Sequence, residues 1–352
     1  MAKDSVTFNK FSGIKNTVTE ERLSRGGRDA SGRTLGAELS KALNVDIDDA
    51  GQIKRRRGRI KVSSGNFHSL YDINGPVFVV KDGNLCRLFP DYTVTVLKFN
   101  VGQDRISYVK VADDIFFSSR TTSGVIDASN FTVSEWGHES TDGAQGRWLS
   151  PVVNPTDYLP AVRGKLLGAP PNASYLAYLN GRVYLASGKT LWATELYLYH
   201  YVDKTRTFIS FEADITGVAA VTDGLYVGTT EAVYFLSGAF GSMTRVKLAD
   251  VGMVPNSMVE VPADVVRGGA ASRNAVMFMT RYGVFVGLDG GIASNITQSR
   301  VEFPLSTDSA PMFRLQDGMN QYVAVTNNGG TPVGASRIGD YVDVEIRRFK
   351  GA

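Results

Sequence analysis

Ser187-Gly188-Lys189-Thr190 is the stretch most like a phosphate cradle, because a glycine turn, a lysine and a hydroxyl can together hold phosphate and magnesium. The earlier glycine that such a loop requires falls at Val183, and the stretch reads as a hairpin turn with no helix N-terminus behind it. Asp46, Asp48 and Gly51 imitate the opening of a calcium loop, but Ala50 stands at a ligand position and Arg57 stands where the bidentate glutamate belongs. His68, His138 and His200 are far apart, and none has a histidine or carboxylate at metal-ligand spacing. Ser-x-x-Lys occurs at Ser12 to Lys15 and at Ser107 to Lys110 without its companion motifs, and there is no Gly-x-Ser-x-Gly elbow and no sialidase Asp-box. A glycan hydrolase would need two carboxylates set across a cleft. The reading is a chain that is not an enzyme, with no catalytic residue, no metal site and no cofactor. Asn130-Phe131-Thr132, Asn172-Ala173-Ser174 and Asn295-Ile296-Thr297 match the glycosylation triplet, which carries no meaning in a chain that is not secreted.

The sharpest charged feature is Lys54, Arg55, Arg56, Arg57, Arg59 and Lys61. Such a run neutralises nucleic-acid phosphates or docks on an acidic neighbour, and its contacts weaken with salt. A positively charged edge strand that resists unwanted pairing has the same composition. The net charge is +3, yet residues up to Lys61 hold 14 Lys and Arg against 8 Asp and Glu, and the remainder holds 24 against 27. The two parts differ electrostatically, as a basic arm and a slightly acidic body do.

The elements that would carry these residues are short and repeated. Residues 1–41 read as an extended assembly arm, polar and without sustained period, with Leu35, Leu39 and Leu43 spaced for a short helix. From Leu43 the period becomes two, and 43–62 reads as a β-hairpin turning at Asp49-Ala50-Gly51-Gln52. Thereafter paired apolar strands recur, and equivalent positions Val77, Ile115, Val183, Leu225, Val276 and Tyr322 are spaced by 38, 68, 42, 51 and 46 residues. Most of these intervals match the ~40–50 residues of a four-stranded propeller blade, and a loop insertion between Trp136 and Asn172 accommodates the longest. Residues 42–352 are therefore expected to form an all-β propeller of about six blades, with five to seven as the range. The last unit lacks strands while the N-terminal hairpin has strands without a blade. Pairing of Ile53 to Val62 with Tyr341 to Arg348 would seal the wheel and bring Arg55, Arg56, Arg57 and Arg59 beside Arg347, Arg348 and Lys350.

The composition suits this. The 352 residues are 43% hydrophobic and 21% charged, enough apolar material for a sizeable core and too much for wholesale disorder. Cys86 is the single cysteine, so no internal bridge forms, and no apolar run approaches the roughly 18 residues that cross a bilayer. A soluble protein made in a reducing compartment, without a membrane partner, is expected.

Phe8-Asn9-Lys10-Phe11-Ser12-Gly13-Ile14-Lys15-Asn16, followed by Ala42-Leu43-Asn44-Val45-Asp46-Ile47-Asp48-Asp49-Ala50-Gly51-Gln52-Ile53-Lys54-Arg55-Arg56-Arg57-Gly58, resembles the N-terminal run of tailed-bacteriophage virion proteins. The likeness covers about the first 60 residues in motif and the rest only in repeat style. It resembles the tail-nozzle or packaged-DNA stabilisation propellers of short-tailed phages. It implies a virion location after synthesis in the host cytoplasm, a homo-oligomeric ring of about six copies, portal- and adaptor-type partners, and packaged DNA as a further contact. Phe8, Phe11 and Ile14 would then anchor the arm on a neighbour, and the basic residues would supply the electrostatic contact. This chain is shorter than many nozzle proteins, so a separate tip domain would be missing. The other functional expectation is a receptor- or carbohydrate-binding propeller at the distal end of the tail, which an exposed cluster of Trp136, Trp148 and neighbouring acids would favour.

Overall fold

A computed structural model describes residues 10–15, 17–28, 30–32, 34–40, 45–47, 52–55, 60–137, 167–262, 274–297, 300–301, 306–316, 319–327 and 341–347. The chain is all-β. Among the described residues there is no α-helix, and none that is long and apolar enough to cross a membrane.

The N-terminal segment carries β1 (Phe11–Ile14), β2 (Arg25–Arg28) and β3 (Thr34–Leu39) in the order β1-β3-β2, with β1 parallel to β3 and β2 antiparallel to it. This corrects the expected helix at residues 35–43. Leu35 and Leu39 lie in a strand, where the bonds from both neighbours outweigh a weak helical spacing. β4 (Val45–Ile47) and β5 (Ile53–Arg55) then form the expected hairpin, pairing Val45 with Arg55 and Ile47 with Ile53.

Five four-stranded antiparallel sheets follow in strict chain order, a propeller-like succession. Sheet I holds β6 (Phe67–Asp72), β7 (Val77–Lys81), β8 (Asn84–Leu88) and β9 (Val94–Lys98), and sheet II holds β10 (Ser107–Val111), β11 (Asp114–Ser118), β12 (Ser123–Asp127) and β13 (Val133–Ser134). β14 (Leu167–Gly168) pairs with β18 (Val202–Asp203) beside sheet III, which is built from β15 (Tyr175–Leu179), β16 (Arg182–Ser187), β17 (Thr190–Ala193) and β19 (Phe208–Ser210). Sheet IV comprises β20 (Ile215–Val221), β21 (Gly224–Thr229), β22 (Val233–Ser237) and β23 (Thr244–Ala249). Sheet V comprises β24 (Val259–Pro262), β25 (Asn274–Thr280), β26 (Gly283–Leu288) and β27 (Ile292–Asn295). Sheet VI has three strands, β28 (Asp308–Gln316), β29 (Met319–Asn327) and β30 (Tyr341–Arg347).

The turns explain why the strands fold back so tightly. Asn180 and Gly181 both take positive φ, 49° and 76°, between β15 and β16, which is the two-residue turn whose twist matches that of the flanking strands. Another turn recurs between third and fourth strands. Asp91-Tyr92-Thr93 and Asn130-Phe131-Thr132 each put the aromatic at φ near 60° (65° and 61°), and in each the threonine amide and hydroxyl both donate to the first residue's side-chain oxygen. Asn295 likewise receives the amide and hydroxyl of Thr297, so two of the three glycosylation-like triplets are local turn devices.

The core lies between successive sheets. Phe78 and Leu85 meet Ile115 and Phe117; Phe116 and Trp136 meet Leu185; Leu191 meets Leu225 and Leu236; Tyr226 and Phe235 meet Val276 and Phe278; Met279 and Val286 meet Tyr322. These strands are buried on both faces, so they read as continuous apolar runs such as Val276-Met277-Phe278-Met279.

Candidate functional site

Of the predicted basic residues, Lys54 and Arg55 lie in β5 and Lys61 in the extended stretch after it, all three exposed. Arg347 ends β30, opposite Gln321 of β29. Arg56, Arg57, Arg59, Arg348, Lys350 and the anchor Phe8 lie outside the described residues. Phe11 and Ile14 sit half-buried in β1, opposite Ala37 and Leu39 of β3, so they pack within the N-terminal sheet. That sheet touches the body where Arg300 Nη2 donates to the Ser12 carbonyl at 2.9 Å. β5 is paired with β4, and β30 with β29; among the described residues the expected pairing of the two chain ends is not made.

What the tertiary structure brings together instead is a polar hub where the first strands of the sheets begin. Arg105, just ahead of β10, donates from Nη1 to the Ser309 carbonyl of β28 at 2.5 Å, which ties sheet II to sheet VI across 204 residues. Asn256, ahead of β24, donates its side-chain amide to Asp308 at 2.6 Å and its backbone amide to the Thr216 carbonyl at 3.1 Å, and Ser309 Oγ donates to the Pro255 carbonyl at 3.0 Å. Tyr175 at the start of β15 feels both Arg105 and Asp308, and burial first, opposed by Arg105, holds its phenol up at about 12. Sheets II, III, IV, V and VI thus converge on one set of groups. Periodicity cannot reveal such a hub, because its members sit at strand starts and in the loops just ahead of them, far apart in sequence.

His68 stands at the same end of β6. Ser69 Oγ accepts the Ile106 N–H at 2.8 Å and shares a second hydrogen bond with His68 Nδ1, also at 2.8 Å. His68 Nε2 is a buried atom with no hydrogen-bond partner. Burial, and then the charge of Arg105, push the imidazole pKa down, so the ring stays neutral at pH 7. His200 is a core residue, with Nδ1 accepting the Gly137 amide at 3.4 Å and its ring against Phe116. His138 lies outside the described residues. Among the described residues no group of three or more His, Cys, Asp or Glu is placed to hold a metal.

Arg105 and Glu260 are both reachable by solvent, yet burial lowers the arginine's pKa and raises the carboxyl's. Both facts hold together where a side-chain end meets water while protein surrounds most of the group. Glu260 Oε1 accepts the Ala220 amide at a long 3.4 Å, and its charge, after burial, helps lift the Tyr71 phenol to about 12. Tyr71 stacks on Tyr108 with centroids 4.9 Å apart. A carboxyl raised by desolvation binds its proton more tightly folded than unfolded, so it costs stability once pH rises past the unfolded value and progressively more until it passes the folded one. Glu260→Gln is therefore expected to raise the melting temperature at pH 7, with the gain shrinking as pH falls toward 4.5; an equal gain at both pH values would contradict this assignment.

Ser187-Gly188-Lys189-Thr190 is the hairpin turn between β16 and β17, with Ser187 opposite Thr190 and Lys189 Nζ donating to the Glu212 carbonyl at 3.0 Å. Trp136 is only 5% exposed, packs on Phe116 and donates its indole N–H to the Tyr199 carbonyl at 2.8 Å. It is a core residue rather than an exposed glycan platform. Trp148 lies outside the described residues.

No family model matches the chain, and neither does any curated protein. Among solved structures, it is similar to an auxiliary nutrient binding protein of Bacteroides thetaiotaomicron, at 8% identity and a TM-score of 0.46 over 81% of this chain and 70% of that one. It is also similar to the extracellular domain of BT4673 from B. thetaiotaomicron, at 13% identity and a TM-score of 0.46 over 77% of this chain. This chain spans about a third (32%) of that domain's length. Sqt1 of Saccharomyces cerevisiae matches at 12% identity and a TM-score of 0.38, over 67% of this chain and 63% of its own. Likenesses this distant carry neither a name nor an activity to the chain described above.

Proposed function

We propose that this protein is a non-enzymatic structural component of a tailed-bacteriophage virion, a nozzle or connector part of the tail that assembles as a ring of like subunits and helps to retain or conduct packaged DNA. The observation that carries this reading is the placement of the first 66 residues. They precede the array of sheets, hold the chain's basic excess, and leave Lys54, Arg55 and Lys61 exposed beside the exposed apolar residues Ile53, Ile60 and Val62. Cationic and apolar surface left open together suits a partner that is both anionic and large. The N-terminal resemblance to virion proteins supports the same reading. Its finer architecture is six blades, sheets I to VI, with Ile53 to Val62 as the strand that pairs with Tyr341 to Arg348 and residues 1–41 as the assembly arm.

Native mass spectrometry of the full chain tests this proposal. The expected result is a discrete ring of about six copies that is lost when residues 1–41 are deleted. A monomer with and without those residues, combined with binding to a glycan array, would replace it with the receptor-binding reading.

A further inference from the structure

Sheets I to V have four strands each, whereas sheet VI ends at β30, whose outer edge pairs with nothing among the described residues. An open edge is a row of unpaired N–H and C=O groups that templates another strand. The sequence of that edge alternates Val342, Val344 and Ile346 with Asp343 and Glu345.

The chain contains a segment of matching pattern. Arg59-Ile60-Lys61-Val62 alternates charged and apolar residues in sequence, and Ile60 and Val62 are 88% and 57% exposed, with residues 60–62 in no sheet among the described residues. Added to β30, apolar residues would lie against apolar ones on one face, and Arg59 and Lys61 against Asp343 and Glu345 on the other. The spacing along the chain agrees as well. Residues 63–66 separate this segment from β6, just as residues 211–214 separate β19, the outer strand of sheet III, from β20, the first strand of sheet IV. Along the chain, Ile60 to Val62 thus falls where the outer strand of a preceding sheet would fall.

Among the described residues this pairing is not made: Ile60 and Val62 are exposed, and no described strand lies on the outer edge of β30. We infer that β30 accepts Arg59 to Val62 of a second copy, so that each subunit donates one strand and receives one. The contact is head-to-tail, which is the interface type that closes into rings. This rests on the ring-forming role proposed above and supplies its bond.

Cysteine cross-linking of full-length chains tests it. Cys86, the natural cysteine, is buried. Chains carrying Lys61→Cys alone are mixed with size-tagged chains carrying Glu345→Cys alone, or Asp343→Cys alone to cover the neighbouring register, and oxidised. The expected result is a heterodimer as the main product of one mixture, lost when Val62→Pro removes an amide from the donated strand while circular dichroism stays that of the parent. A doubly substituted chain that cross-links only within itself, with no heterodimer from the mixtures, would overturn exchange between copies; rings still seen by native mass spectrometry would then leave the proposed function standing. No cross-link in any arrangement would overturn strand addition itself.

Discussion

Tyr226→Ala is expected to cost about 3–5 kcal/mol of stability, a fall in melting temperature on the order of 10 °C. The ring is fully buried between sheets IV and V, 5.0 Å from Phe235 and 6.3 Å from Phe278 between centroids. Gly287 fits beneath it only because it lacks a side chain, since a Cβ there would stand 2.5 Å from the ring. The hydroxyl donates to the Leu288 carbonyl at 2.6 Å and lies 3.1 Å from the Ile292 carbonyl, so alanine leaves a cavity and forfeits this hydrogen bonding. Tyr226→Phe keeps the ring and forfeits only the bonds, at about 1–3 kcal/mol. Urea titration of the two variants separates packing from hydrogen bonding. An alanine variant within about 1 kcal/mol of the parent would mean that the site collapses freely and that this seam is not tightly packed.

Arg105→Ala is expected to loosen sheet VI. Five apolar clusters fasten successive sheets, but among the described residues none joins sheet VI to sheet I or II. The guanidinium bond to Ser309 is the link that crosses there. A bond from a charged donor is worth about 1.5–3 kcal/mol, and solvent access to Arg105 places this one near the lower end. The larger effect is local. Amide hydrogen exchange in β28 should accelerate well before exchange in β21 or β25, because a strand tied on one flank opens more cheaply than one clamped between two sheets. Unchanged protection of β28 in the variant would show that other contacts hold it.

Much of the body was open to a reading of pattern. Each inner strand pair, from Val77–Lys81 with Asn84–Leu88 to Gly224–Thr229 with Val233–Ser237, is an apolar run closed by turn residues, and such runs are local properties. Their spacing is local too, so the succession of sheets followed from counting. The basic run at Lys54 to Lys61 needed only composition. Thr34 to Leu39 misled because three leucines four apart fit a helix, while the strand forms through bonds to Phe11–Ile14 and Arg25–Arg28 that no local period records. Whether Trp136 is exposed could not be read from sequence, since its enclosure by Phe116 and its bond to the Tyr199 carbonyl join distant segments.

The repeat of paired strands, the turn chemistry and the segregation of positive charge at the N-terminal side were determined by the order of residues alone, because each depends on neighbours within a few positions. The meeting of Arg105, Asn256, Asp308, Ser309 and Tyr175, the hydrogen bond between His68 and Ser69 beside Ile106, and the place of β30 at the edge of sheet VI among the described residues were decided only by tertiary structure. They join residues as far as 204 positions apart, and which long-range contacts form is settled by how the sheets pack as a whole.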